Sequence, residues 1–449
     1  MSHYKPYPAY KDSGVEWLGQ VPEHWGIQRI KSLIDSAQNG IWGDDPDGGA
    51  DDIPCARVAD FDRNSFTVKG ELPTLRKVPE AQRLPRQVNS GDLLIEKSGG
   101  GEQTTVGVVV QYQGAEPVIC SNFVAVVKPK QGVFARWLCY TNAHLYSVGV
   151  NVRSIKQTTG IQNIDSDQYF SERVAVPPER ERQIISAHLD RETARIDALV
   201  AKKTRFIELL REKRQALITH AVTKGLDPNV RMKDSGVEWL GEVPEHWEVR
   251  SISSVSTKIT NGYVGPTRDI LVEDGVRYLQ SLHIKGNQIR FDVPYFVTAE
   301  WSNLHQKSIL ETGDVLIVQT GDIGQVTVVT DEFAGCNCHA LIIVSPLRSI
   351  VAGEWISWVF NSSYGYHTLL SIQTGAMHPH LNCGNVKDVA LPVPSLDEQR
   401  AIIQYIENEE RRISALIAKT ECSIDLLKER RSALITAAVT GQIDLREAV

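Results

Sequence analysis

Polar side chains of the types that contact DNA recur in loops at matching places in the two halves of the chain. Arg, Lys, Asn, Gln, Ser and Thr read base edges, and hydroxyl groups contact phosphates. The matching loops are NGIW and NGYV, KSGG and QTGD, and RSIKQTTGIQN and QTGAMHPH. The residues that we select as candidates for DNA contact are Asn39, Arg57, Lys97, Ser98, Lys156, Gln157, Thr158, Asn261, Tyr263, Gln280, Gln319, Thr320, Gln373, His378 and His380. Among them we favour the matched pairs Arg57 with Gln280 and Lys97 with Gln319. The alternative is that these loops only form turns between strands.

Motifs for catalysis are missing from the sequence. SGGGEQ and TGDIGQ do not match the glycine pattern of a nucleotide-binding loop, and the dipeptide Gly-Lys of a phosphate-binding loop never occurs. Asp92, Glu96 and Lys97 resemble a nuclease strand, but their spacing is wrong and the second half has Val318 and Gln319 there. We therefore expect no catalytic residues. A self-sufficient DNA methyltransferase or nuclease is kept as an alternative.

A cluster of possible metal ligands is better explained as buried packing. Cys336, Cys338 and His339, with Cys383, have the wrong inner spacing for common zinc sites, and the first half has CSNF at the matching place. Free cysteine packs as a small apolar side chain. We expect no metal in this chain.

The loops belong to two copies of one larger unit. KDSGVEWLGQVPEHW, from Lys11 to Trp25, returns as KDSGVEWLGEVPEHW, from Lys233 to Trp247. GDLLIEKSGG returns as GDVLIVQTGD, and ALITHAVTKGLD returns as ALITAAVTGQID. We call the fifteen-residue motif at 11–25 and 233–247 the phrase. Each copy of the larger unit consists of the phrase, a β-rich globular segment and a long helix.

The two long helices carry an apolar seam that we interpret as a heptad repeat. Its members are Ile185, Leu189, Ile196, Leu199, Phe206, Leu210 and Leu217 in the first helix, and Ile402, Ile406, Ile413, Leu416, Leu427 and Leu434 in the second. Some forty residues make a rod of roughly 60 Å. An intramolecular coiled coil is predicted, antiparallel because short connections are preferred.

The predicted fold class is mixed α/β, with two α/β recognition domains joined by an antiparallel two-helix coiled coil in a pseudo-two-fold, pseudo-cyclic arrangement. The predicted boundaries are 1–25 for the first phrase, 26–178 for the first recognition domain, 179–225 for the first helix, 226–247 for the second phrase, 248–395 for the second recognition domain and 396–449 for the second helix.

Charge and composition limit the possible partners and the compartment. The net charge of −7 means that basic residues must be local, or that partners must supply charge, if the chain binds DNA. No apolar run is long enough to cross a bilayer, and the scattered cysteines form no disulfide pattern. We expect a cytoplasmic protein.

The chain resembles the specificity subunit of type I restriction-modification enzymes. The resemblance rests on four motifs that occur twice in the same order: the repeated phrase, the GDxLI strand, the VPxxxEQ start of a long helix and the ALITxAVTG end of that helix. The resemblance covers essentially the whole chain. The first copy departs from the pattern by having Arg182 where Gln399 stands, and Lys224 before Gly225.

The resemblance implies a non-catalytic subunit that reads a bipartite double-stranded DNA target, one recognition domain for each part. It implies two modification subunits that carry AdoMet and methylate adenine, and restriction subunits that use ATP and Mg²⁺. This chain itself would hold no cofactor. A rod of roughly 60 Å spans about 18 base pairs, enough for two half-sites and a gap. The alternative is a coiled-coil scaffold or decoy that binds methyltransferase subunits without reading DNA.

Overall fold

The computed structural model describes residues 4–101, 104–158, 160–375 and 377–447, without the side chain of Thr158. It divides into two compact units, the first Met1–Thr204 with Glu421–Val449 and the second Arg205–Thr420. The boundary between the units falls within both long helices. No helix among the described residues is long and apolar enough to cross a membrane.

The first unit contains short strands and a few helices before its first long helix. The strands are β1 (Tyr10–Asp12), β2 (Gln20–Pro22), β3 (Gly26–Arg29), β4 (Ile34–Asn39), β5 (Asp52–Ala56), β6 (Phe61–Asp62), β7 (Thr67–Val68), β8 (Leu75–Lys77), β9 (Leu93–Glu96), β10 (Ser98–Gly99), β11 (Val109–Gln111), β12 (Ile119–Cys120), β13 (Val124–Pro129), β14 (Ile155–Thr158), β15 (Ile161–Ile164) and β16 (Arg173–Val176). The helices are α1 (Glu80–Arg83), α2 (Ala135–Ser147), α3 (Ser166–Tyr169) and α4 (Glu179–Lys224).

The second unit repeats this order with different lengths. Its strands are β17 (Met232–Asp234), β18 (Glu242–Pro244), β19 (Glu248–Ser251), β20 (Ser256–Asn261), β21 (Val276–Leu279), β22 (Ile284–Lys285), β23 (Gln288–Ile289), β24 (Phe296–Val297), β25 (Val315–Val318), β26 (Val326–Val328), β27 (Asn337–Cys338), β28 (Leu341–Pro346) and β29 (Ala390–Val393). Its helices are α5 (Ala299–Leu304), α6 (Gly353–Asn361), α7 (Ser363–Ser371), α8 (Cys383–Val386) and α9 (Leu396–Val439).

Two sheets of the first unit have counterparts with the same strand order in the second unit. In the first unit the order β4-β13-β9-β11 continues to β7 and β6, and in the second unit β20-β28-β25-β26 has the same order. A second sheet, β12-β5-β8, matches β27-β21-β24. Alternate side chains of β9 enter different clusters, since Leu93 and Ile95 pack on one face and Leu94 on the other. The predicted mixed α/β fold is confirmed.

Each copy of the repeated phrase contacts, through its Trp and His side chains, a glutamate in the first turn of a long helix. In the first unit, Glu181 accepts hydrogen bonds from Trp25 Nε1 at 3.0 Å and from Tyr7 Oη at 3.0 Å, and His24 Nε2 lies 2.7 Å away. In the second unit, Trp247 Nε1 donates to Glu398 at 3.0 Å and His246 Nε2 lies 2.9 Å from it. The two phrases are therefore nearly identical in sequence and make the same Trp and His contacts to the helix that follows.

The long helices pack antiparallel within each unit. In the first unit, Trp25 contacts Glu181 near the start of α4, and a Cβ on Gly441, just past the end of α9, would lie 3.1 Å from the same Trp25. Farther along, Arg431 of α9 lies 2.9 Å from Asp197 of α4. The start of α4 therefore lies beside the end of α9, and the two helices run in opposite directions in this unit.

The second unit has the corresponding contacts. Trp247 binds Glu398 at the start of α9, and a Cβ on Gly225, just past the end of α4, would lie 3.3 Å from it. Arg214 Nη1 donates to Glu410 at 3.2 Å. The predicted pseudo-cyclic arrangement concerns the placement of one unit against the other and stays a prediction.

The heptad interpretation of the seam is wrong in detail. Leu199, Phe206 and Leu416 are 39%, 44% and 46% exposed. Buried isoleucines recur at every eleventh residue, namely Ile185, Ile196, Ile207 and Ile218 in α4 and Ile402, Ile413, Ile424 and Ile435 in α9, and Ile406 of α9 is buried as well. Eleven residues make three turns at about 3.67 residues per turn, close to the natural helix, whereas a strict seven-residue repeat drifts around an unsupercoiled helix. The buried stripe therefore follows an eleven-residue spacing rather than a strict heptad.

His144 links α2 to the end of α9, and its burial predicts that the first unit loses stability in acid. Its Nδ1 lies 3.1 Å from Thr436 Oγ1, its ring lies 5.8 Å from that of Trp17, and burial lowers its pKa from 6.5 to about 4. The unfolded chain binds this proton at a higher pH than the folded one. The free energy of unfolding is therefore at its full value above about pH 6.5 and falls, by about 3 kcal/mol, as the pH drops towards 4.

Urea denaturation of the wild-type protein and of His144→Gln at pH 7 and pH 4.5 measures this contribution. The variant is expected to show the smaller loss of stability on acidification. Equal losses in the two proteins would assign the acid sensitivity to other groups.

Candidate nucleic-acid interface

Arg57 and Gln280 occupy the same position in the two units, as the sequence predicts. Each follows the central strand of the second sheet, β5 or β21, and begins a short 3₁₀ turn. Arg57 N donates to Asp60 Oδ2 at 2.8 Å, and Gln280 N donates to His283 Nδ1 at 2.8 Å. The same turn therefore presents a guanidinium in one unit and an amide in the other.

A buried side chain at the end of each turn, Asp60 or His283, fixes the turn through hydrogen bonds. Asp60 is 5% exposed, and its Oδ2 also lies 3.5 Å from Arg57 Nε. His283 is fully buried, and burial lowers its pKa, so the ring is neutral near pH 7. Since its Nδ1 accepts from Gln280, its Nε2 carries the proton and donates to Val293 O at 2.8 Å. Such anchored turns hold the side chain at their first position in a defined place.

A cavity of about 530 Å³ lies beside Arg57 in the first unit. Its lining includes two of the predicted residues, Arg57 and Ser98. It also includes Trp42, Glu96 and Phe123, none of which was selected as a DNA-contact residue. A usable signal for Glu96 was present in the sequence, because it is the one charge in the otherwise apolar run LLIE, opposite Val318 in the second copy.

Lys97 and Ser98 lie where the end of β9 meets a small three-stranded sheet. The backbone N–H groups of both donate to Phe123 O, at 2.9 and 3.1 Å. Ser98 pairs with Asn163 in the sheet β10-β15-β14, and its hydroxyl also donates to the Asn163 side chain. The Ser98 hydroxyl is thus already engaged, whereas Lys97 is only half-buried.

The hairpin of β14 and β15 carries Lys156, Gln157 and Thr158. Lys156 Nζ lies 2.6 Å from Asp165 Oδ2, and this ion pair lowers the pKa of Asp165. The Lys156 side chain is 71% exposed, and such a surface pair contributes little to stability. Gln157 is exposed. The side chain of Thr158 lies outside the described residues.

Asn39 is exposed at the end of β4, next to a close backbone contact. A Cβ on Gly40 would lie 2.2 Å from Cys120 O, and a Cβ on Gly262, after Asn261, would lie 2.6 Å from Cys338 O. Only glycine permits the strand end to approach the neighbouring sheet so closely. The glycine of the NG dipeptide is therefore structural in both units.

Asn261 and Tyr263 line a cavity of about 380 Å³ in the second unit, together with His305 and Lys307. The Tyr263 ring lies edge-on to those of Trp301 and His305, each at 5.0 Å between centroids. Asn261 Oδ1 accepts a hydrogen bond from Cys383 Sγ at 3.0 Å. Asn261 thus has a structural bond as well as a place in the cavity.

A second group of predicted residues forms around the loop before α8. Thr320 pairs with His380, and Gln319 O accepts from Leu381 N at 2.9 Å. Among the described residues Gln319 Oε1 is buried without a hydrogen-bond partner. Gln373 and His378 are exposed, whereas His380 is half-buried and its Nδ1 lies 3.2 Å from His378 O. The structure brings Gln319, Thr320 and His380 together at one strand end.

The cysteines considered as metal ligands are placed as packing residues. Cys336 and Cys338 are buried in an apolar cluster, and burial raises the pKa of the Cys336 thiol to about 11. Cys383 donates to Asn261. In the described part of the chain no three His, Cys, Asp or Glu side chains meet in a way that would hold a metal ion.

Comparison with known proteins gives one consistent result. The model of the type I restriction modification DNA specificity domain matches residues 244–424. The chain is 21% identical over 417 residues to the type I restriction enzyme EcoKI specificity subunit of Escherichia coli K12, covering 87% of this chain and 82% of that protein.

Solved structures agree on the fold. The HsdS subunit from Thermoanaerobacter tengcongensis superposes with a TM-score of 0.56 at 14% identity, over 94% of this chain and 98% of that one. A chain from a structural study of complex assembly and conformational transition of the type I R-M system superposes with a TM-score of 0.72 at 16% identity, over 94% of this chain and 99% of that one.

Proposed function

Because the chain belongs to the type I restriction-modification specificity family, we propose that its two units each read one part of a bipartite DNA target. Members of this family are non-catalytic specificity subunits that recognise DNA targets for the enzyme complex. The observation that carries the proposal is the repeated turn at Arg57 and Gln280. One scaffold presents two different side chains at one position, as two readers of different sequences require.

The remaining candidate residues are part of the same proposal. Arg57 and Gln280 contact base edges, and exposed side chains such as Lys156 contact phosphates. The cavities beside Arg57 and beside Tyr263 support this placement, because polar loop residues and aromatic rings converge there. The domain boundaries predicted from the sequence, such as 26–178 and 248–395, define the two readers.

The proposed partners are two modification subunits, which use AdoMet to methylate adenine, and restriction subunits, which use ATP and Mg²⁺. A relative in fold comes from a type I R-M complex, which supports assembly with such subunits. Apolar side chains exposed on the long helices offer contact area for them, namely Leu199, Phe206, Leu209, Leu416 and Leu426. The partners would also supply positive charge that a chain of net charge −7 lacks. A cytoplasmic location is part of this proposal.

Arg57→Ala and Gln280→Ala test the two readers separately. Each variant, assembled with the modification subunits, is expected to bind target DNA more weakly by about 1 to 3 kcal/mol, or about 5- to 140-fold. The loss should remove discrimination in one half-site and leave the other unchanged. Binding to duplexes mutated in either half-site measures both quantities.

Arg86→Ala is the matched control. Arg86 is a half-buried arginine of the first unit whose Nη1 donates to Gln82 O at 3.1 Å, and it does not line the cavity. It should bind target DNA like the wild type. If Arg57→Ala and Gln280→Ala also bind like the wild type, these residues do not read DNA. A complex that binds its modification subunits but no specific DNA would favour the scaffold alternative.

A further inference from the structure

The cavity beside Arg57 has two aromatic walls that are exposed to solvent. Trp42 and Phe123 line it and remain 38% and 45% exposed. Exposed aromatic rings on a cavity wall are a surface on which a planar ring can stack. At the matching positions the second unit has small aliphatic side chains, with Val264 opposite Trp42 and Ala340 in the shorter loop opposite Phe123. Aromatic side chains at these two positions are therefore particular to the first unit.

Trp42 is fixed before any ligand arrives. The Arg76 guanidinium lies 4.6 Å from the centroid of its ring. Arg76 Nε donates to Trp42 O at 3.0 Å, and its Nη2 donates to Gly43 O at 2.9 Å. One cation thus holds both the ring and the backbone of the loop. A preformed wall loses little conformational entropy when a ligand binds.

Glu96 places a carboxylate in a position where the fold prefers an apolar side chain. It is 3% exposed and lines the cavity, while Val318, its counterpart in the second unit, packs in an apolar cluster. A buried carboxylate costs stability unless it is bonded. Oε2 accepts from Arg63 Nη2 at 3.0 Å. Within the described residues Oε1 has no hydrogen-bond donor, and it lies 3.7 Å from the position of a Cβ on Gly99, at the cavity wall. The carboxylate keeps a free acceptor at the cavity.

The chemistry of the cavity selects its ligand. Aromatic walls take a flat ring, and a carboxylate oxygen accepts from N–H donors. Cytosine, adenine and guanine carry exocyclic amino groups, whereas thymine has oxygen acceptors there. A base edge within a stacked duplex does not reach a carboxylate that is 3% exposed, but a base turned out of the stack does.

We propose that this cavity holds one base of the first half-site, turned out of the duplex, with its exocyclic amino group donating to Glu96. The proposal rests on the proposed function, since the base is supplied by the bound target. It makes Trp42, Phe123 and Glu96 specificity residues of the first unit. The second unit reads its half-site without holding a base turned out of the duplex.

The assembled complex bound to its methylation target tests this. A fluorescent base analogue, 2-aminopurine or pyrrolocytosine, replaces one base at a time through both half-sites, and its fluorescence rises when it leaves the stack. The expected result is a several-fold rise at one position of the first half-site other than the methylated adenine, which the modification subunits themselves turn out of the stack, and at no such further position in the second half-site. Glu96→Val, which copies the second unit, and Trp42→Ala are expected to abolish the rise.

Phe134→Ala is the control, because Phe134 is 38% exposed in the same unit but does not line the cavity. It should keep the fluorescence rise. Wild-type complex that binds and methylates its target without a rise at such a further position of the first half-site overturns the proposal, and so does a rise at that position that persists in Glu96→Val. A complex that fails to bind specific DNA at all instead refutes the proposed function.

Discussion

Glu181→Ala is expected to destabilise the first unit by about 3 kcal/mol, because it leaves buried donors without an acceptor. Glu181 is 7% exposed and serves Tyr7 and Trp25 as acceptor, with His24 at its other oxygen. The carboxylate also lies in the first turn of α4, where the helix dipole favours negative charge. The substitution therefore removes the hydrogen bonds that join Trp25 and His24 of the phrase to α4, and it also lowers the stability of the helix itself.

Glu398→Ala provides the comparison within the same molecule. Glu398 binds Trp247 and His246 in the second unit, but its side chain is 29% exposed, against 9% for Glu181. Water can therefore reach the donors that it leaves, and the expected loss is smaller. Differential scanning calorimetry of the three proteins measures both losses. A Glu181→Ala protein as stable as the wild type would show that the phrase does not anchor the helix through this carboxylate.

Gly40→Ala is expected to cost about 3 kcal/mol and to damage the first reader alone, because the new Cβ cannot avoid backbone atoms. It would lie 2.2 Å from Cys120 O and 2.3 Å from Ser121 O. Relief of the clash must displace the loop Ser121–Phe123, which lines the cavity beside Arg57. Recognition of the first half-site should therefore fail while recognition of the second is kept.

Two further glycines complete this experiment. Gly262→Ala places its Cβ 2.6 Å from Cys338 O, so it should damage the second reader in the same way. Gly70→Ala meets no atom within 4 Å and should resemble the wild type. Urea denaturation and binding to duplexes mutated in one half-site separate the effects. Equal loss at both half-sites in Gly40→Ala would contradict independent readers.

The repeat made much of the architecture predictable from sequence. The phrase, the GDxLI strand and the sequences at the ends of the long helices each occur twice. The two copies could therefore be aligned with each other to locate every element. The pairing of Arg57 with Gln280 follows from that alignment, and both do begin the same turn. The length of α4 and α9 followed from long runs without proline or glycine.

Features that depend on packing were not predictable in the same way. The buried stripe at Ile196, Ile207 and Ile218 differs from the predicted heptad because the exposed Leu199 and Phe206 are equally apolar in sequence. Burial of Glu96 depends on the sheet face that Leu94 shares, which is a tertiary property. Trp42 becomes part of a cavity only because Arg76, far along the chain, fixes its loop.

The most direct test of the account is to exchange residues 26–178 for the corresponding segment of another specificity subunit. Mapping methylated adenines across the genome of cells that carry the chain and its modification subunits gives the recognised sequence. We expect a target in two parts separated by a spacer, with only the part read by the first unit changed in the exchanged protein. A target that stays the same in both parts would contradict DNA reading by this chain.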